Sequence, residues 1–191
     1  MTAVLTMREH WVEQARKVPS PNFGERPAGA GVSLLVIHNI SLPPGEFGGP
    51  YIDAFFCNRL EPSDHPYFEE IAGMQVSSHF LIRRDGELVQ YVACDKRAWH
   101  AGRSCWRDQE ECNDFSVGIE LEGTDHEAYT DAQYAVLVDL VTLLRAEYPE
   151  IAEDALTGHA DIAPGRKTDP GEAFDWARLQ HGLANAGEDL A

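Results

Sequence analysis

Runs of apolar residues alternate along the chain with stretches broken by proline and glycine, and the spacing within the runs changes from one to the next. In SLLVIHNI, Ser33–Ile40, four consecutive apolar residues, Leu34–Ile37, have the pattern of a strand buried on both faces, and His38 follows them. HFLIRRDGELVQYV, His79–Val92, reads as a hairpin: two β-rich runs flank Asp85-Gly86, a pair suited to a type I′ turn. DFSVGIELEG, Asp114–Gly123, is a further strand, with Val117, Ile119 and Leu121 on one face and Glu120 and Glu122 on the other. In TDAQYAVLVDLVTLLRAEYP, Thr130–Pro149, the period becomes that of a helix. Leu137, Leu140, Val141, Leu144 and Tyr148 form one stripe, Thr130 and Gln133 make a capping-box pair, and Pro149 ends the helix.

Between these elements the chain is irregular. Residues 17–31 are a lead-in rich in proline and glycine. Residues 41–73 form a long connection with short helices expected near Ile52–Leu60 and Tyr67–Ile71; connections this long inside a compact domain are often lids or binding loops. GHADIAPGRKTDPG, Gly158–Gly171, holds too much glycine and proline for a regular helix or strand. A short last helix is expected around Phe174–Leu179. No repeat or linker divides the chain. The expected architecture is α/β (α+β): a single domain over residues 1–191 with a central mixed β-sheet flanked by helices, its core about 18–179 and its termini short and flexible.

Composition narrows the partners. A chain of 191 residues is long enough to bury a core. With 32 acidic and 15 basic residues the formal charge is −17, which repels phosphate backbones and argues against general nucleic-acid binding. No segment approaches the roughly 18 apolar residues of a membrane span, and MTAVLTMREHWVEQARKVPSP carries charges where an export signal needs its apolar run, so a cytoplasmic protein is expected. Cys57, Cys94, Cys105 and Cys112 show no C-x-x-C spacing; reduced thiols acting as small buried hydrophobes are expected for all four.

The candidate chemistry lies in Gly158–Gly171. His159 and Asp169 are ten apart across a turn-rich loop that can bring both to one point, and zinc takes imidazole nitrogen and carboxylate oxygen while keeping a position for water. A third ligand must come from elsewhere, and His38 at a strand end is the candidate. Lys167, two residues before Asp169, is placed to put a cation beside whatever Asp169 binds and so to face an oxyanion. Glu120, on a strand expected to be inside, can serve as a buried general base for activated water, or Glu120 and Glu122 can both line the solvent face of the sheet; the pattern leaves these two readings even.

Five segments carry a resemblance. VIHNISLPPGEFGGP (Val36–Pro50), SSHFLIRRDGELVQYV (Ser77–Val92), RAWHAG (Arg97–Gly102), NDFSVGIELEGTD (Asn113–Asp125) and TGHADIAPGRKTDPG (Thr157–Gly171) together resemble AmpD-type amidases. These are the 1,6-anhydro-N-acetylmuramyl-L-alanine amidases of cell-wall recycling, within the zinc amidase and peptidoglycan-recognition superfamily. The resemblance implies zinc held by His38, His159 and Asp169, a catalytic carboxylate at Glu120 rather than Glu122, a catalytic lysine at Lys167, and substrate contacts at Asn39 and Trp99. His79 belongs to a family hallmark with a structural role. Gln75 and Glu111 stand where some relatives carry basic residues near the site. The implied substrate is an anhydro-muropeptide met in the cytoplasm by a monomer, with no nucleic-acid or membrane partner. Phe47, Tyr51, Phe55 and Trp99 are expected to wall its pocket. The alternatives are a general amidase of intact peptidoglycan and a non-catalytic peptidoglycan-binding module.

Overall fold

The computed structural model describes residues 4–188. Six strands form one mixed sheet: β1 (Arg16–Lys17), β2 (Leu34–Ile40), β3 (Phe80–Ile82), β4 (Leu88–Gln90), β5 (Ser116–Glu122) and β6 (Leu156–Gly158), in the order β6-β2-β5-β3-β4-β1. Strands β6, β2, β5 and β3 run parallel, β4 returns antiparallel to β3, and β1 is parallel to β4. All seven residues of β5 and the first five of β2 are buried, because both faces of the sheet are covered. The helices are α1 (Tyr51–Phe56), α2 (Pro66–Glu70), α3 (Asp131–Glu147), α4 (His159–Ile162) and α5 (Trp176–Glu188).

Period-2 alternation in β3 separates the two faces. Phe80 and Ile82 join the larger cluster, with Leu137, Leu140, Val141 and Leu144 of α3 and Leu179 of α5; Leu81 joins Phe55, Phe56 and Phe68 of α1 and α2 in the second cluster. Helix α3 starts at the expected capping box, Thr130 Oγ1 accepting from Gln133 N and Gln133 Oε1 from Thr130 N. Helix α5 runs well beyond the expected Phe174–Leu179. A Cβ at Gly182 would lie 2.7 Å from Val138 Cγ2, so this glycine serves the close packing of α5 on α3. One helical turn, α4, stands in the loop expected to be irregular. His159–Ile162 holds no glycine or proline, and Asp161 Oδ2 accepts from Gly158 N and Thr157 Oγ1 at its start.

The β3–β4 turn differs from the expected type I′. Gly86 has φ +88 while Asp85 is not in the left-handed region, and Gly86 N donates to Arg83 O at 2.9 Å: a turn over residues 83–86 whose glycine closes a bulge. Positive φ at both central residues, as type I′ requires, occurs instead at Arg107 and Asp108, between the paired segments Cys105–Trp106 and Gln109–Glu110. All four cysteines are free, but only Cys94 and Cys112 are buried; Cys57 is half-buried and Cys105 exposed, so the buried-hydrophobe reading holds for two. Among the described residues no helix is long and apolar enough to cross a membrane.

Candidate functional site

The site lies at the carboxyl ends of the parallel strands, where loops leave the sheet and ligands of open α/β sheets commonly bind. In β2 and β5, His38 is paired with Glu120, and in β3 Leu81 is paired with Glu120, so the three side chains emerge on one face. Strand β6 ends at Gly158, which hands the chain to His159 at the start of α4. A Cβ at Gly158 would lie 2.9 Å from Pro170 Cδ, so the two ends of the loop pack together there. Ala160 N donates to Asp169 O at 2.9 Å, and this bond returns Asp169 to the side of His159.

The result is a tight cluster. His38 Nδ1, His159 Nδ1 and Asp169 Oδ2 lie 3.0 Å from one another. Both histidines are buried and Asp169 is half-buried. Burial pushes His38 down to about 4, so its ring is neutral at pH 7. Two imidazole nitrogens and one carboxylate oxygen within a single ion's reach form a donor set able to hold a metal ion. The fit is chemical as well as geometric: neutral imidazole and ionised carboxylate are the forms that bind a divalent cation.

Glu120 is buried beside this cluster. Burial raises its carboxyl well above the ordinary value, the Asp169 charge adds to the rise, and Lys167 opposes it. Its Oε2 has no hydrogen-bond partner. Glu122, two residues on, is also buried but fully engaged: it accepts from Gly48 N at 2.7 Å, Arg84 N at 3.2 Å and Arg83 Nη1 at 3.3 Å. The two carboxylates that the sequence pattern left equal therefore have opposite surroundings. Lys167 is exposed at the rim of the same cleft.

The cleft encloses about 630 Å³, with His38, Glu120, His159 and Asp169 at its floor. Trp99 lines it, and so do Leu42, Phe55, Phe56, Tyr67 and Ile71 from the long connection. Of the aromatic wall expected from that segment, Phe55 is present but Phe47 and Tyr51 are not. Phe47 lies under the Arg84 guanidinium, 4.9 Å from its ring centroid, in a separate groove, and Tyr51 packs on Phe68. Asn39 borders the cleft with its Nδ2 donating to Asp125 Oδ1 at 2.8 Å and Pro170 O at 3.1 Å, bonds that tie β2 to the segment after β5 and to the residue following Asp169. Gln75 is exposed, and Glu111 is exposed and bridges Arg97 at 3.3 Å. His79 is buried behind the site, accepting from Gly118 N and donating to Lys96 O.

Sequence reasoning passed over three residues here. His100 Nδ1 stands 2.8 Å from His38 Nε2, Asp125 accepts from both Asn39 and Thr168, and Asn113 Oδ1 accepts from the backbone amides of His100 and Ala101. Each falls inside a quoted motif, and the histidine of RAWHAG was the signal most open to reading.

A cluster able to hold a metal ion, a buried carboxyl one strand away and a cation at the rim together define a hydrolase-type site. Residues 28–172 match the family model for N-acetylmuramoyl-L-alanine amidase, and the chain belongs to that family. Within it the chain is of the AmpD type: it is 60% identical, over 92% of its own length and 94% of the other's, to the 1,6-anhydro-N-acetylmuramyl-L-alanine amidase AmpD of Citrobacter freundii. A crystal structure of an AmpD selenomethionine derivative superposes with a TM-score of 0.91 at 59% identity, covering 93% of this chain and 99% of that one. AmpDh3 of Pseudomonas aeruginosa, solved in complex with anhydromuramic pentapeptide, is 27% identical with a TM-score of 0.59, covering 82% of this chain and 61% of that one.

Proposed function

We propose that this chain is a zinc-dependent amidase that hydrolyses the bond between the lactyl group of 1,6-anhydro-N-acetylmuramic acid and L-alanine in soluble muropeptides of the cytoplasm. One observation carries the proposal: an unpartnered carboxyl, Glu120, is buried beside three converging ligand atoms at the floor of a cleft. The AmpD-type relatives supply the bond, and the complex of AmpDh3 supplies the ligand class. We read residues 1–191 as one amidase domain acting as a monomer, and the charge of −17 argues against a phosphate-rich partner.

His38, His159 and Asp169 would hold the zinc where their ligand atoms converge beside the cleft. Bound zinc supplies Lewis acidity, lowering the pKa of water towards about 7 and polarising the scissile carbonyl. Glu120 Oε2 accepts the proton of the attacking water as the oxygen adds to the lactyl carbonyl carbon. The carbonyl oxygen becomes an oxyanion facing the Lys167 ammonium. Glu120 then returns the proton to the alanine nitrogen, the C–N bond breaks, and the products are a lactyl carboxylate and a free alanine amine. Asn39 and Trp99 border the substrate, Trp99 offering a flat apolar face to the compact bicyclic sugar.

Leu42, Phe55 and Ile71 stand on the wall supplied by the long connection, which favours a chain end over a continuous glycan. Anhydro-muropeptides are expected to be cut at least ~100-fold better in kcat/KM than the same peptides on reduced or glycan-linked muramic acid, roughly 2.7 kcal/mol. Equal rates, or rapid solubilisation of whole sacculi, would assign the chain to general amidases instead. Stoichiometric zinc without hydrolysis of either substrate would make it a binding module.

A further inference from the structure

The cluster has a hydrogen-bonded support that fixes more than position. It begins at Ser116 Oγ, whose hydroxyl donates to Cys112 O at 2.6 Å. A hydroxyl has one proton, so the contact of 3.1 Å between Ser116 Oγ and His100 Nε2 requires the ring to donate. With its proton on Nε2, neutral His100 presents a lone pair at Nδ1. That nitrogen lies 2.8 Å from His38 Nε2, so His38 in turn donates, and its own lone pair is left on Nδ1, the atom that faces His159 and Asp169. The next residue along does the same for the second histidine. Ala101 O, 3.1 Å from His159 Nε2, can only accept, which leaves the His159 lone pair on Nδ1 as well.

One side chain holds both parts of this device. Buried Asn113 accepts through Oδ1 from His100 N at 3.1 Å and from Ala101 N at 2.8 Å, so two adjacent backbone amides are pinned by one oxygen. Gly118 makes room for the ring: a Cβ there would lie 2.5 Å from His100 Cγ.

We propose that His100 is a positioning residue, and that the His100–Ala101 segment sets the tautomers of His38 and His159 so that both Nδ1 lone pairs face Asp169 before a metal arrives. The inference rests on the reading of His38, His159 and Asp169 as zinc ligands. The competing arrangement places a proton on His38 Nδ1, aimed at Asp169. It would reverse the whole chain and take the Ser116 hydroxyl away from its 2.6 Å bond to Cys112 O. A metal entering the competing arrangement would first have to displace that proton. In the arrangement set by Ser116 and His100 it meets two lone pairs and a carboxylate. Partners of this kind, which donate to or accept from the far nitrogen of a ligand histidine, typically affect metal affinity by about 10–100-fold.

The test is nitrogen-edited NMR of the imidazoles in metal-free protein at pH 8, with zinc affinity measured by chelator competition. In the unsubstituted chain, His38 and His159 should both be protonated on Nε2. In His100→Leu, His38 should lose that preference while His159 keeps it, and zinc affinity should fall about 10–100-fold with the far-ultraviolet spectrum unchanged. His100→Asn, which restores an acceptor near the Nδ1 position, should recover most of the affinity. Should His100→Leu fail to fold, Ser116→Ala removes the anchor of the chain and should mix the His38 tautomers on its own. A His38 protonated on Nδ1 in the unsubstituted chain, or a tautomer and affinity unmoved by His100→Leu and by Ser116→Ala, would overturn the proposal. An unsubstituted chain that binds no zinc would refute the metal reading, and the tautomers would still decide the inference.

Discussion

Glu120 and Glu122 stand two apart on β5 and share a face of the sheet, yet one has a partnerless oxygen and the other is saturated. In the proposed function that difference makes Glu120 the base and Glu122 part of the scaffold. Glu120→Gln keeps the shape and loses the base, so the rate should fall by about 10²–10⁴ with zinc stoichiometry unchanged. Glu122→Gln should leave most of the rate and cost about 1–3 kcal/mol of stability, because it weakens charge-assisted bonds to Arg83, Arg84 N and Gly48 N. Steady-state kinetics and denaturant titration of the two variants check both halves. Glu120 also makes a pH prediction. Burial, with the Asp169 charge, raises its folded pKa above the unfolded value of about 4.3, so the folded metal-free chain binds the proton more tightly. Its contribution is then favourable below about pH 4.3 and is lost as pH rises through the folded value. Metal-free Glu120→Gln should therefore melt higher than the unsubstituted chain at pH 7, and the gap should close towards pH 4.

At the scale of elements, the loop from β6 to α5 carries His159, Lys167 and Asp169, and its stiffness is local. Asp125 accepts from Asn39 Nδ2 and Thr168 Oγ1, and Gly171, at φ +82, lies so close that a Cβ would sit 2.2 Å from Asp125 Cα. Gly171→Ala meets backbone and should move Asp125 off its partners, with loss of zinc and at least about 1–3 kcal/mol of stability. Gly165→Ala in the same loop, at φ +75 with open space around it, should cost only the backbone strain, about 1–2 kcal/mol, and keep its zinc. Zinc content and thermal midpoints of the pair separate close approach from strain. The elements of this region were unevenly legible in the sequence. Strands β2 and β5 and helix α3 follow from long apolar patterns, because periodicity reports burial directly. Strand β1 is two residues long and exposed, and its pairing with β4 is set by partners more than seventy positions away. The type I′ turn at Arg107-Asp108 has no glycine to announce it.

Over the whole molecule, the candidate site was legible as possible ligand types on matching motifs, while the residues that hold it in place were not. His38, Glu120, His159, Lys167 and Asp169 could be singled out from residue chemistry and motif resemblance. His100, Asn113 and Asp125 work through bonds to residues distant in the chain, and only the folded arrangement brings those together. The buried histidines behind the site have a global consequence. Burial lowers His79 to about 3, with Arg26 adding to the fall, whereas its unfolded value is about 6.5. Between these values the unfolded chain binds the extra proton, so stability present above about pH 6.5 is lost as the pH falls through the folded value. His79→Gln should reduce the slope of unfolding free energy between pH 4 and 6 by about one proton, up to about 1.4 kcal/mol per pH unit. Denaturant titrations at several pH values read that slope directly.

The central claim concerns one bond, and one measurement follows it. The zinc-loaded chain is incubated with purified anhydro-N-acetylmuramyl peptide in ¹⁸O-water, and the products are weighed by mass spectrometry. Attack at the lactyl carbonyl puts one ¹⁸O in the sugar acid and none in the released peptide, which begins with a free alanine amine. Label in the peptide, cleavage at a different bond, or an intact substrate after prolonged incubation would contradict the account.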